Sequence, residues 1–186
     1  MRAKCFTSLI CAAVLCSACA AIPEELVETP ESASMCDAET GAALQMLVGT
    51  WSLHIEADEG WTGYGESTIA WDSSHVCGIL ETSEAVFNQE SETPFENRST
   101  SLIVFDSLSE TMKLLTSDRR GFVHLGFGSD DLMDLSFEIG QLGMSDAVRR
   151  IQYRKLSASG FEWVWQGRDA AETPWKDRLM IVYTRR

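Results

Sequence analysis

Leu44-Gln45-Met46-Leu47-Val48-Gly49-Thr50-Trp51-Ser52-Leu53-His54-Ile55-Glu56 decides the fold, because the spacing of its apolar residues changes partway along. Before Gly49, the chain from residue 37 is rich in Ala, Glu, Gln, Met and Leu, with Leu44, Leu47 and Val48 at helical spacing. A short helix over 37–47 is predicted, capped by the Asp37 carboxylate. From Trp51 the period is two: Trp51, Leu53 and Ile55 alternate with Ser52, His54 and Glu56. Successive side chains of a strand point to opposite faces, so this is a strand with one buried side. His54 falls on the other.

Alternation continues over 62–71, 76–86, 98–105, 111–117, 122–127, 132–139, 148–156, 161–167 and 176–185, which makes ten strands. Asp58-Glu59-Gly60, Asp106-Ser107, Asp118-Arg119-Arg120-Gly121, Gly128-Ser129-Asp130 and Ser157-Ala158-Ser159-Gly160 are turn clusters of hairpin length. Antiparallel neighbours with short loops and no second helix leave a sandwich or a barrel. Closure removes exposed edges. The expected fold is therefore all-β: an up-and-down antiparallel barrel of about ten strands behind a short N-terminal helix, just wide enough for a small ligand.

Upstream of this domain the sequence points to export. Arg2 and Lys4 precede an apolar run from Phe6 to Leu15 that is too short to span a bilayer, and small residues crowd positions 17–21. Residues 1–18 read as a signal peptide. Cys16-Ser17-Ala18-Cys19 has the form of a bacterial lipobox with Cys19 as the lipidated first residue. A cut after Ala18-x-Ala20 would instead release a soluble protein. The segment 19–35 has four glutamates, Pro23 and Pro30 and little to pack, so it reads as a flexible acidic tether and favours the anchored form. Ala20, rather than Asp, follows Cys19, which favours the outer membrane of a two-membrane cell. The protein is expected to be extracytoplasmic, lipid-anchored or soluble, with residues 36–186 as its one domain. Its formal charge of −13 becomes −15 once Arg2 and Lys4 are gone. Such an acidic chain is a poor partner for nucleic acid or an anionic lipid surface, and it reaches a membrane only through the anchor.

Cys5, Cys11 and Cys16 leave with the leader, and Cys19 is lipidated or lost. Cys36 and Cys77 remain, an even pair in an oxidising space. A disulfide between them is expected, with two free thiols as the alternative. His75 lies two residues before Cys77, but no second ligand pair stands at zinc spacing, and no metal or cofactor is expected. The chain has neither a Gly-x-Ser-x-Gly elbow nor a Cys-x-x-Cys-His motif.

Gly49-Thr50-Trp51 at the start of the first strand and Tyr183-Thr184-Arg185-Arg186 at the end of the last resemble the arrangement of lipocalins and their calycin relatives. There the tryptophan stacks under an arginine from the last strand, which implies barrel closure by Trp51 with Arg185 or Arg186. The chain is also similar, over residues 36–186, to a family of exported bacterial lipocalin-like barrels of unknown function. Cys36-Asp37, Leu47-Val48-Gly49-Thr50-Trp51, Cys77-Gly78-Ile79-Leu80-Glu81, Ser101-Leu102-Ile103-Val104-Phe105-Asp106 and the closing strand carry that likeness. It implies a Cys36–Cys77 bridge from helix to barrel and supplies no catalytic residues.

Phe161, Trp163 and Trp165, at period two, are the leading pocket candidate, an aromatic wall for a flat or greasy molecule. Core filling is the ordinary alternative. Trp61, Tyr64 and Trp71 either rim a mouth or pack on the helix. Arg150, sharing a face with Gln152 and Arg154, is either an inward hook for a carboxylate or part of an outer ladder against the excess acid. His124 imitates the single haem-holding histidine of a related barrel class, or is an ordinary strand histidine. Glu81, Glu84, Asp134, Glu138 and Glu162 lie on strands, where most are expected to be solvated. The expected function is a cell-envelope barrel that binds or carries a small apolar ligand. An enzyme of isomerase or cyclase type using pocket carboxylates or a histidine, and a scaffold with a filled barrel, are the alternatives.

Overall fold

In a computed structural model, which describes residues 36–74, 76–90, 92–128, 135–141, 149–170 and 173–186, the Asp37 carboxylate caps α1 (Ala38–Leu47). Its oxygens accept from the Glu39 N–H at 3.0 Å, the Thr40 N–H at 2.8 Å and Thr40 Oγ1 at 2.8 Å. The free donors of the first turn are thus satisfied by the residue that starts it. Thr40, Ala43, Leu44 and Leu47 form the buried stripe of the helix. Val48 is extended, with ψ 128°, and ends it.

Ten strands follow among the described residues: β1 (Gly49–Ala57), β2 (Thr62–Trp71), β3 (Gly78–Asn88), β4 (Phe95–Asp106), β5 (Thr111–Asp118), β6 (Val123–Gly128), β7 (Ser136–Gln141), β8 (Arg149–Ser157), β9 (Gly160–Gly167) and β10 (Lys176–Arg185). Each pairs antiparallel with its sequence neighbours, and β10 returns to β1. Trp51 stands opposite Arg185 on one side and Ser67 on the other. The result is a closed up-and-down antiparallel barrel with a short helix ahead of it, as the period-two patterning predicts. Asp106 and Asp118 hold the turns after β4 and β5, accepting from the N–H groups of Leu108 and of Arg120 and Phe122.

Several strand boundaries depart from expectation, among them β7, which is Ser136–Gln141 rather than 132–139, and for two the cause is visible. β3 begins at Gly78 rather than at residue 76, because Val76 and Cys77 form the bend that carries Cys77 to Cys36. The two cysteines are joined in a disulfide, with Cα atoms 4.8 Å apart. β4 begins at Phe95 rather than at residue 98. Phe95 stacks on Phe87 across the β3–β4 pair at 5.0 Å, which draws the polar Glu96 and Asn97 into the ladder.

The end of the barrel where β1 begins, here the lower end, is sealed. Arg185 lies 4.3 Å over the Trp51 ring, and Trp51 is fully buried. Trp51 Nε1 donates to the Leu47 carbonyl at 2.9 Å. Arg185 Nη1, Nη2 and Nε donate to the carbonyls of Val48 at 3.1 Å, Met46 at 3.4 Å and Ala158 at 2.6 Å. α1 carries no basic residue in its last turn, so an indole and a guanidinium from the barrel serve its terminal carbonyls instead. Trp71 Nε1 donates to Gln45 Oε1 at 3.1 Å and pins the helix from the side. Above the seal, Leu44, Leu47, Ile79, Leu114, Phe137 and Phe161 fill the lower half of the barrel.

The expected signal peptide, Cys19 and the tether lie outside the described residues, as do His75 and Asp134. Among the described residues no helix is long and apolar enough to cross a membrane.

Candidate functional site

Register fixes which side chains enter the lumen. Trp51, Leu53 and Ile55 are buried inward, and their pairing partners carry that parity around the sheet. On β9 it selects Phe161, Trp163 and Trp165, on β8 Ile151 and Tyr153, and on β3 Ile79, Glu81 and Ser83. On β6 it selects His124, opposite Thr116. Low in the barrel these residues are buried. Higher up, Ser83, Ser99, Thr116, His124, Trp163 and Trp165 keep partial solvent contact.

Its two walls differ chemically. On β3 to β5, Ser83 Oγ meets Ser99 Oγ at 2.7 Å, and Ser101 Oγ donates to Thr116 Oγ1 at 2.9 Å. Across from these hydroxyls stand Trp163 and Trp165, ring centroids 6.3 Å apart. His124 presents its ring edge-on to Trp165 at 5.2 Å. Its Nδ1 is buried with no hydrogen-bond partner among the described residues. Burial first, and the nearby Arg149 charge second, hold this imidazole below its ordinary pKa, so it is neutral at neutral pH. At the mouth, Trp61 packs edge-on to Phe95 at 5.4 Å, beside the Phe87–Phe95 stack.

The floor is polar. Glu81 is only 6 % exposed. Ser67 Oγ donates to its Oε1 at 2.7 Å and the Tyr183 hydroxyl donates to the same oxygen at 2.8 Å. Burial raises the Glu81 carboxyl above its ordinary pKa, outweighing the two hydrogen bonds that favour the charged form. Tyr153 is 3 % exposed, and its hydroxyl has no partner among the described residues within hydrogen-bonding geometry. Burial, and then the neighbouring Glu81, push the Tyr153 phenol well above its usual range, against a weaker opposing contact from the Trp163 side chain. Sequence reasoning counts Glu81 among strand carboxylates expected to be solvated. The signal that finds it is parity: Glu81 lies between Ile79 and Ser83 on the inward face.

The remaining candidates scatter. Trp61 is at the mouth, Trp71 packs on α1, and Tyr64 is 63 % exposed on the outer surface. Arg150 is on the outer face of β8, opposite Gln166 and Glu138, where it donates to Gln166 Oε1 and lies 4.6 Å over the Trp175 ring. The inward hook for a carboxylate is therefore not formed: with Ile151 inside, period two puts Arg150 outside. Arg154 continues that outer face with a fork to Asp177, at 2.9 and 3.1 Å. Glu84 pairs with Arg98 at 3.1 Å, Glu162 with Lys155 at 2.5 Å, and Glu138 is exposed, all outward. A cleft of about 810 Å³ also lies at β2 to β4, lined mostly by outward residues such as Tyr64, Glu66 and Arg98, and also by Ser67, Ser83 and Ser99. Its charges are spent on one another, Arg186 on Glu66 at 2.5 Å and Arg98 on Glu84, which leaves a polar surface unsuited to an apolar ligand.

No family profile and no curated protein matches this chain. Solved structures do. Rv2717c from M. tuberculosis matches with a TM-score of 0.51 at 16% sequence identity, over 79% of this chain and 97% of its own. The S-type phycobiliprotein lyase CPES from Guillardia theta matches with a TM-score of 0.49 at 9% identity, over 86% of this chain and 97% of its own. A redesigned β-barrel, mFAP0, solved bound to DFHBI, matches with a TM-score of 0.44 at 12% identity, over 76% of this chain and 100% of its own. The likeness to Rv2717c concerns the fold alone, a closed β-barrel of this kind.

Proposed function

We propose that this protein holds a small apolar molecule in the upper half of its lumen, against Trp163 and Trp165. One observation carries the reading. Two indoles stand at successive inward positions of β9 yet stay partly exposed, whereas a barrel filled by its own side chains would bury them. Trp61, Phe87 and Phe95 extend apolar surface to the mouth. Glu81, the one buried carboxylate among the described residues, is bonded to hydroxyls rather than paired with a second carboxylate. That supports binding over the acid–base chemistry of an isomerase or cyclase.

The sequence extends the proposal to place and kinship. The chain is an exported bacterial lipocalin-like barrel, carried on the acidic tether 19–35 and anchored in the cell envelope by lipid on Cys19, with the soluble form as the alternative. Native mass spectrometry of protein purified from its own host tests the binding reading. The expected result is a bound small molecule of constant mass across preparations. Repeated ligand-free spectra, together with no uptake of any apolar probe, would overturn it. Metabolic labelling with a fatty-acid analogue, abolished in Cys19→Ser, tests the anchor.

A further inference from the structure

We propose that the floor of the lumen is a polar subsite in which the Glu81 carboxyl and the Tyr153 hydroxyl together hold a hydroxyl group at the buried end of an otherwise apolar ligand. This rests on the binding reading above and narrows its ligand from any small apolar molecule to an alcohol or phenol.

Two polar groups at the floor are short of partners. Both donors to Glu81, Ser67 Oγ and the Tyr183 hydroxyl, use Oε1, so Oε2 has no partner among the described residues. The Tyr153 hydroxyl, also inward, makes no bond of good geometry among the described residues, its nearest donor being the Trp163 side chain. A hydroxyl as buried as that of Tyr153 is nearly always bonded, and leaving its bond unmade is costly. The pair also sits at the foot of the aromatic wall. Tyr153 stands opposite Trp163 in the β8–β9 register, and Tyr183 stands opposite Phe161 in the β9–β10 register. A molecule lying along Trp165 and Trp163 therefore ends at this floor.

Chemistry then selects the end group. A purely apolar end would leave both groups unpaired. A carboxylate would set its charge against Glu81, and the arginines of β8, Arg150 and Arg154, face outward, away from it. An ammonium would serve Glu81 but offer the Tyr153 O–H nothing to donate to. A hydroxyl donates to Oε2 and accepts from Tyr153 at once. It still fits if the carboxyl is protonated, because it can then accept from it.

The test is equilibrium dialysis of the mature protein against three probes that share one ring system: 2-naphthol, 2-methoxynaphthalene and naphthalene. Wild type is expected to bind 2-naphthol about tenfold more tightly than either other probe. Tyr153→Phe is expected to bring 2-naphthol to within about threefold of naphthalene, with naphthalene itself unchanged, whereas Glu81→Gln, whose amide still offers a donor, keeps most of the advantage. Tyr153→Phe removes only an unpartnered hydroxyl, and Glu81→Gln keeps an oxygen for Ser67 and Tyr183, so both variants fold. Equal binding of the three probes by wild type overturns the subsite while leaving the lumen as a binding site. A 2-naphthol advantage that survives in Tyr153→Phe does the same. Failure of every probe to bind overturns the lumen reading itself, and the subsite with it.

Discussion

Gly49 leaves the space that Arg185 occupies: a Cβ at position 49 would sit 2.5 Å from Arg185 Nη1. The Gly-x-Trp pattern thus has two physical halves. The tryptophan is the ring that the guanidinium covers, and the glycine is the absence that lets it arrive. The φ of Gly49, 152°, adds a backbone reason for the same residue.

Gly49→Ala is accordingly expected to displace Arg185 from the Trp51 face and to free the carbonyls of Met46 and Val48. A cost of about 2 kcal/mol follows from losing a cation–π contact and the weaker hydrogen bonds of an exposed side chain. Arg185→Lys should cost a similar amount, because an ammonium can neither lie flat on the indole nor reach three carbonyls at once. Since both variants break one device, the double variant should cost little more than either alone. Urea denaturation of the four proteins measures this, and additive costs would show that the two residues act separately.

The disulfide ties the start of α1 to the bend before β3 across a sequence separation of 41 residues. Its main effect is on the unfolded chain, where closing a loop of that length is worth about 4 kcal/mol on the chain-entropy model. The Cys36→Ser, Cys77→Ser variant is expected to lose that amount, and wild type in strong reductant should match it. A reductant-insensitive denaturation midpoint for wild type would mean the bond is not made in the protein as produced.

The barrel is legible in the sequence because its signal is local. A strand such as Phe161-Glu162-Trp163-Val164-Trp165 states its own faces by alternation, and turn aspartates such as Asp106 and Asp118 mark where it must reverse. Parity also decides Arg150 once Ile151 and Tyr153 are taken as inward. The floor of the lumen is not legible in this way. Glu81 sits between Leu80 and Thr82 in a stretch that reads as well for a solvated edge as for a core. Its burial depends on Ser67 and Tyr183, 14 and 102 residues away, which no local window contains. The start of β4 is hidden for the same reason: Glu96 and Asn97 are strand residues only because Phe95 finds Phe87 across the sheet.

Glu81 also gives the fold a pH signature. Burial raises its carboxyl above the ordinary value of 4.5, so the folded protein holds that proton more tightly than the unfolded chain does. Its contribution to stability is fully present below that value and is lost as pH rises through it toward the folded-state pKa. The groups facing it are the hydroxyls of Ser67 from β2, Tyr183 from β10 and Tyr153 from β8, and both tyrosines stay neutral there. Glu81→Gln is therefore expected to be more stable than wild type near pH 7, with the difference closing by about pH 4. Thermal melts of both proteins across that range check the sign, and a wild type that is the more stable at neutral pH would show that Glu81 is not buried as an acid.

Binding in the lumen can be separated from binding on the outer surface by two arginine and tryptophan variants that lie close in sequence but on opposite faces. Trp165 is inward, against His124 and Trp163, whereas Arg150 is outward over Trp175. Removing an indole takes away the ring that an apolar probe would stack on, a loss of about 1–2 kcal/mol and so roughly tenfold in affinity. Trp165→Ala is expected to weaken naphthalene binding by that factor, and Arg150→Ala to leave it unchanged. Both must first be shown folded by near-ultraviolet circular dichroism, with the Trp165 contribution itself absent from the first. If Arg150→Ala weakens binding as much as Trp165→Ala does, the probe is held on the outer face of β8, and the upper lumen is a mouth without a guest.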